Sequence, residues 1–120
     1  MAAKDELGRS GEDRAARHLT DLGFAVVDRN WRCAQGELDI VAVRGRELVV
    51  VEVKTRRTER FGHPFEAVDG RKLARLWRLA GAWASAHPAL ARGRRLRLDL
   101  IALTGPDPAS ARVEHLEDVG

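Results

Sequence analysis

The sequence predicts an α/β fold, a mixed central sheet flanked by helices, with the core order helix, three strands, helix, strand. Two amphipathic helical segments, residues 5–22 and 69–86, are separated by β-branched runs typical of strands. A further alternating run follows the second segment, so helices are expected to pack against a sheet, as in an α/β sandwich. The chain has 120 residues and is expected to form one domain, residues 1–120.

Each element is predicted from a local signal. In order, these are a helix over 5–22, a strand from Phe24 towards Arg32, strands over 37–44 and 47–55, a loop over 56–68, a helix over 69–86, a strand over 95–103 and an edge strand over 113–119. Gly23 suits a helix C-cap, and Asp69 suits an N-cap. Gly45-Arg46 separates two β-branched runs, and glycine at the first position favours a type II′ hairpin turn. The loop is assigned from charge, Gly and Pro without periodicity.

Composition excludes several classes of protein. No apolar stretch approaches the ~20 residues that span a bilayer, so no membrane association is expected. The N-terminus has neither an apolar h-region nor a cleavage pattern, so the expected location is cytoplasmic. Cys33 is the only cysteine, which excludes an internal disulfide and a cysteine-rich zinc site.

The basic residues are mostly arginine. Lys and Arg together number 21, and lysine occurs only at positions 4, 54 and 72, which leaves 18 arginines and a net charge of +3. Arginine stays protonated in proteins, whereas a lysine presents a compact ammonium that can shift its pKa when buried. Lys54 is therefore a candidate for a chemical role.

Glu52 and Lys54 interrupt the most strand-like run of the chain, residues 49–57. Burying such groups costs several kcal/mol, in rough terms, unless they are paired or bound. A two-residue turn at Gly45-Arg46 makes opposite positions sum to 91, which sets Asp39 across from Glu52 and Glu37 across from Lys54. Two opposed carboxylates repel each other unless a proton or a cation lies between them.

A divalent cation resolves this repulsion. Mg²⁺ or Mn²⁺ takes carboxylates together with phosphate oxygens, so Asp39, Glu52 and the backbone carbonyl of Val53 are the expected metal ligands. Lys54 could orient or deprotonate a metal-bound water, or neutralise charge at a phosphorus centre. The alternative is structural, with Glu37 paired to Lys54 while Asp39 and Glu52 reach solvent.

Three motifs then resemble one known family. They are Gly8-Arg9-Ser10-Gly11-Glu12, then Asn30-Trp31-Arg32 with Gly36-Glu37-Leu38-Asp39, and Val51-Glu52-Val53-Lys54-Thr55-Arg56. They resemble the YraN-like group of uncharacterised bacterial proteins, which is similar to archaeal Holliday junction resolvases in the PD-(D/E)xK nuclease superfamily. The match covers nearly the whole chain, and Leu38 replaces the proline of the superfamily name.

The resemblance implies a restriction-endonuclease-like fold and a metal-dependent nuclease acting on DNA, with branched or damaged DNA among the expected substrates. It implies that Asp39 and Glu52 bind the metal, that Lys54 is the catalytic lysine, and that Glu12 is an additional acid. Similar resolvases act as homodimers, so a homodimer is one expected state. The alternative is a DNA-binding or adaptor module that keeps the fold and has lost turnover.

Two groups of basic residues are candidates for contact with DNA phosphates. Arg56 and Arg57 directly follow the strand that carries Lys54. Arg71, Lys72 and Arg75 lie on the polar side of the second helix. For the helix, the alternative is that these side chains are merely solvated.

Overall fold

The computed structural model describes residues 3–60 and 62–120, and side chains from residue 9 onward. Its helices and strands are α1 (Ala3–Asp21), β1 (Ala25–Cys33), β2 (Gly36–Arg44), β3 (Glu47–Arg56), α2 (Gly70–Ala86), α3 (Pro88–Ala91), β4 (Arg95–Thr104) and β5 (Arg112–Leu116). This order confirms the predicted core of helix, three strands, helix and strand. In the described part of the chain, no helix combines the length and the apolar character needed to cross a membrane.

The strands form one mixed five-stranded sheet in the order β1-β2-β3-β4-β5. The first three strands pair antiparallel, because each follows the last through a tight turn. β4 pairs parallel to β3, since the chain crosses back through α2 between them. β5 returns antiparallel along the outer edge of β4. The predicted mixed sheet is confirmed.

The β2–β3 hairpin has the predicted register. Its paired residues extend from Arg44 opposite Glu47 to Ile40 opposite Val51, and each pair sums to 91. Gly45 has a φ of 56°, the positive value that favours glycine at the first turn position. The ladder ends at Ile40 and Val51, one step before Asp39 and Glu52.

Two apolar clusters hold the layers together, one on each side of the sheet. The α1 cluster packs Ala15 and Leu19 of α1 against alternate residues of β3 such as Val49 and Val51. The α2 cluster packs Leu76, Leu79, Ala80 and Trp83 of α2 against the intervening residues Leu48 and Val50. Because both sides of β3 are covered, the molecule is a three-layer α/β/α sandwich.

Two segments differ in detail from the prediction. The loop over 56–68 contains a short 3-10 turn, Pro64–Ala67, because His63 and Glu66 cap it reciprocally and proline starts it. The last strand ends at Leu116 rather than at 119. Beyond it, the Val119 amide donates a hydrogen bond to the carbonyl of Leu98 and does not continue the β5 ladder.

Candidate active site

Asp39 lies at a break in the alternation of β2. Leu38 packs in the α2 cluster and Ile40 packs in the α1 cluster, although residues two apart on a regular strand share a side. At this break the Asp39 carboxylate reaches across to β3, where its Oδ2 accepts a hydrogen bond of 2.8 Å from the Val53 amide. A side chain thus occupies the space where the β2–β3 ladder ends.

Asp39 and Glu52 converge, as the hairpin register predicts. The two carboxyl groups lie close enough for each to act on the protonation of the other, because Glu52 is a main cause, after burial, of the raised pKa of Asp39. Burial and the neighbouring charge of Glu52 raise the pKa of Asp39 to about 8, although the Val53 amide acts in the opposite direction. Without a cation, the raised pKa favours the protonated form of Asp39 at neutral pH.

Lys54 completes the group on β3. Its Nζ lies 3.0 Å from Oε2 of Glu52, and the two side chains are only 20% and 18% exposed. Leu48 and Val50 face the α2 cluster, so the two-residue period of a strand places Glu52 and Lys54 on that same side of β3. The ammonium is thus held beside the acid pair in a partly desolvated position.

Glu12 approaches from α1. Its side chain is 19% exposed, and its negative charge contributes to the raised pKa of Asp39. Burial raises the pKa of Glu12 itself, against the opposing effects of a hydrogen bond from Asn30 and the positive charge of Arg29. Glu12 is therefore close enough to act electrostatically on the acid pair.

Glu37 acts on Glu12, whose pKa its negative charge raises, but its predicted position across from Lys54 is wrong. The β2–β3 ladder ends before residue 37, and the Glu37 carboxylate instead accepts a hydrogen bond of 2.7 Å from Nε of Arg32 on β1. The physical reason is the break at Asp39, beyond which β2 continues to pair with β1 alone. The structural alternative, a Glu37–Lys54 ion pair, is therefore also wrong.

The donor set fits a hard divalent cation. A cation between the two carboxyl groups would displace the proton that the raised pKa keeps on Asp39, and oxygen ligands of this kind suit Mg²⁺ or Mn²⁺. Asp39 and Glu52 are the residues that would hold it, with the Val53 carbonyl as the expected backbone ligand.

Two other groups of acids and histidine occur in the described chain, namely Glu59, His63 and Glu114, and Asp99, His115 and Glu117. In each group an arginine already pairs with two of the acids. Arg112 pairs with Glu59 and lies 3.3 Å from Glu114. Arg97 lies 2.8 Å from Asp99 and 3.0 Å from Glu117. These guanidinium groups neutralise the acids internally, so both groups are ion-pair networks.

The candidate DNA-contacting residues are all exposed. Arg56 and Arg57 follow the site on β3, and Arg71, Lys72 and Arg75 lie on α2. No carboxylate in the described residues lies within ion-pair distance of any of the five, so all of them keep charge available for an anion.

Asn30 is a site neighbour that the sequence indicates only as part of a motif. The structure shows its contact with Glu12 and a positive φ of 54°. The available signal is the residue type, because asparagine is depleted in strands and tolerates left-handed backbone better than most residues.

Comparison with known proteins shows the family. The family model described as "Uncharacterised protein family UPF0102" matches residues 11–103. The chain belongs to this family. It is 52% identical over 120 residues to a UPF0102 protein of an Arthrobacter species, and 53% identical over 120 residues to one of Beutenbergia cavernae. Both alignments cover 100% of each chain, and the YraN-like assignment is thereby confirmed.

A solved structure is also similar, the crystal structure of a repair endonuclease from Pyrococcus abyssi. The TM-score is 0.46 at 17% sequence identity, and the match covers 82% of this chain and 40% of the other. The chain thus spans well under half the length of that protein.

Proposed function

We propose that this family member is a metal-dependent nuclease that hydrolyses DNA phosphodiester bonds with Mg²⁺ or Mn²⁺. One observation carries the proposal. Asp39 accepts a hydrogen bond of 2.8 Å from the amide next to Glu52, the charge of Glu52 raises the pKa of Asp39, and the Lys54 ammonium lies 3.0 Å from Glu52. That combination is costly to bury without a ligand, and it supplies the charges that phosphodiester hydrolysis requires.

Each residue has a role that follows from its contacts. The Val53 amide holds the Asp39 carboxylate in place through Oδ2, which leaves its second oxygen available for a cation. Glu52 positions the Lys54 ammonium, which would orient the attacking water and neutralise negative charge that develops on the phosphate. Glu12 adds negative charge from α1. A divalent cation bound by Asp39, Glu52 and the Val53 carbonyl would supply Lewis-acid polarisation of the scissile phosphate.

DNA is the proposed partner. Arg56 and Arg57 would contact phosphates next to the scissile bond, because they lie at the end of β3 shortly after Lys54. Arg71, Lys72 and Arg75 would contact phosphates further away. We include branched and damaged DNA among the substrates, and a homodimer as the form that would make two cuts in a symmetric junction.

The test is a cleavage assay with Mn²⁺ on linear, nicked and four-way DNA. We expect cleavage by the unmodified protein and loss of at least about 100-fold in rate for Lys54→Ala, the order of effect seen when a group that stabilises transition-state charge is removed. Arg46→Ala is the matched control, since it removes an exposed positive charge at the opposite end of β3. Its rate should stay within about twofold, because the hydrogen bond of Arg46 is made by its backbone carbonyl, which the change keeps, and the side chain is exposed.

Two outcomes would contradict the proposal. If the folded protein bound no Mn²⁺ and cut none of the substrates, the nuclease would be excluded. If DNA binding persisted unchanged in Lys54→Ala and Glu52→Ala and no variant showed metal-dependent cleavage, the protein would instead be a binding or adaptor module.

A further inference from the structure

Asn30 has an unusual backbone for a residue inside a strand. Its φ is 54°, and in the described chain Asp118 is the other non-glycine residue with positive φ. The backbone of a residue with a side chain is strained at positive φ, and such strain persists where surrounding contacts require it.

The break in β1 at Asn30 lies directly opposite the break in β2 at Asp39. The flanking pairs are Arg29 with Ile40 and Trp31 with Leu38, so residues 30 and 39 occupy the step between them. Arg29 faces α1, where its Nη2 donates to Asp13 at 2.7 Å, whereas Trp31 packs in the α2 cluster. Both strands therefore change side at one cross-strand position.

This paired break brings two neighbouring side chains of β1 to the same acid. The side-chain amide of Asn30 lies beside the Glu12 carboxylate and lowers its pKa. Arg29 Nη2 lies 4.0 Å from Oε1 of the same group. A regular strand would place residues 29 and 30 on opposite sides of the sheet, so the positive φ is what lets both contact Glu12.

We propose that Asn30 is a positioning residue whose left-handed backbone and side-chain amide hold Glu12 towards the Asp39–Glu52 pair. The inference rests on the proposed metal site, because its consequence is the arrangement of charge around the cation. Asparagine combines tolerance of positive φ with a side-chain donor, whereas glycine provides only the first.

The test is Mn²⁺ affinity, measured by calorimetry on the whole protein, for Asn30→Gly, Glu12→Gln and the double variant. Asn30→Gly keeps the backbone conformation accessible and deletes the side chain with its amide. We expect it to weaken Mn²⁺ binding about tenfold, the lower end of the effect of removing a partner that orients a ligand group. Its melting temperature should stay close to that of the parent, and Glu12→Gln should weaken binding by a similar factor.

The double variant decides whether Asn30 acts through Glu12. If it does, adding Asn30→Gly to Glu12→Gln causes no further loss of Mn²⁺ affinity, because both changes then remove the same effect of Glu12. Asp118→Gly is the matched control, since it also replaces a residue with a φ of 54° by glycine. Asp118 pairs with Arg95 on β4 and not with the site. It should leave Mn²⁺ affinity unchanged.

The possible failures are distinguishable. If the parent binds Mn²⁺ and Glu12→Gln weakens binding while Asn30→Gly does not, the inference on Asn30 is wrong and the metal site stands. Additive losses in the double variant would also overturn it. If the parent itself binds no Mn²⁺, the proposed function fails first.

Discussion

At the scale of single residues, the protonation of Asp39 controls the candidate site. Its pKa is raised to about 8 by burial and by the charge of Glu52, from an ordinary value of 3.8. Between these values the folded protein keeps a proton that the unfolded chain has lost, so this group makes the metal-free protein less stable as pH rises. A cation that displaces the proton removes that conflict.

Cation binding should therefore depend on pH. We expect Mn²⁺ affinity to increase between pH 6 and pH 8 by up to about tenfold per pH unit, the limit for release of one proton, and to level off above pH 8. Calorimetry in two buffers of different ionisation enthalpy would measure the released proton. Asp39→Asn should abolish binding without lowering the melting temperature of the metal-free protein at pH 8, since it removes the repulsion and keeps an acceptor for Val53. A lower melting temperature with unchanged affinity would indicate a structural ion pair instead.

At the scale of elements, α1 packs tightly against β3 next to the site. A Cβ built on Gly11 would lie 2.0 Å from Oγ1 of Thr55 and 3.0 Å from its Cβ. Gly11 precedes Glu12, and Thr55 follows Lys54, so this contact fixes the distance between the helix and the strand that carry the two groups. Glycine is required here for space rather than for its φ.

Gly11→Ala should therefore destabilise the protein. The added methyl forces α1 away from β3, and overpacking of this kind costs about 1–3 kcal/mol in the free energy of unfolding, which urea denaturation would measure. Gly81→Ala is the matched control in α2, where a Cβ meets nothing within 4 Å. It should stabilise by about 0.5–1 kcal/mol through helix propensity.

A second variant tests whether the Gly11–Thr55 contact causes this destabilisation. In a Thr55→Gly variant the clashing side chain is gone, so Gly11→Ala should lose most of its effect there. An equal loss in both backgrounds would show that the Gly11–Thr55 contact is not responsible.

At the scale of the whole molecule, a buried ion network joins β4 to β5 and β3. Arg97 is 5% exposed and Asp99 is 0% exposed, and two hydrogen bonds of 2.9 and 2.8 Å connect them. Nε2 of His115 on β5 also bonds Asp99 at 2.7 Å, and Glu47 on β3 accepts from Arg97 at 3.1 Å. Burial alone would raise the pKa of Asp99, but the bonds from His115 and Arg97 prevail and lower it to about 2.

This network should make the fold sensitive to acid. The pKa of Asp99 is below its ordinary value of 3.8. The contribution of Asp99 to the free energy of unfolding is therefore complete above about pH 4 and is lost as pH falls towards 2. We expect Asp99→Asn to cost about 3 kcal/mol at pH 7, because it leaves Arg97 buried without its main partner, and to flatten the dependence of stability between pH 4 and 2. Urea titrations at several pH values would show both effects. Asp21→Asn, at an exposed position ending α1, should change neither.

The sequence predicts the parts that depend on local pattern. Two β-branched runs around Gly45-Arg46 define the hairpin register, and that register brings Asp39 and Glu52 together. It does not predict the paired break at Asn30 and Asp39, because the register follows from strict alternation along both strands. The expected position of Glu37 is wrong for that reason.

The Arg97–Asp99 pair was missed although its signal was visible. Both are charged residues two apart in an apolar run, the same pattern that singled out Glu52 and Lys54. What distinguishes the two pairs is the third partner. Asp99 meets His115 from β5, which only the tertiary fold reveals, whereas the partner of Glu52 lies across a two-residue turn.

Because β3 pairs with β4, it gains its second neighbouring strand late in synthesis on the ribosome. All four proposed reactive groups lie within residues 12–54 and emerge early, whereas β4, the second neighbour of β3, emerges only after α2. Until β4 docks, β3 remains an open edge with unpaired amides and carbonyls. The C-terminal half thus contributes no proposed reactive group, yet nascent chains need it to close the strand that carries Glu52 and Lys54.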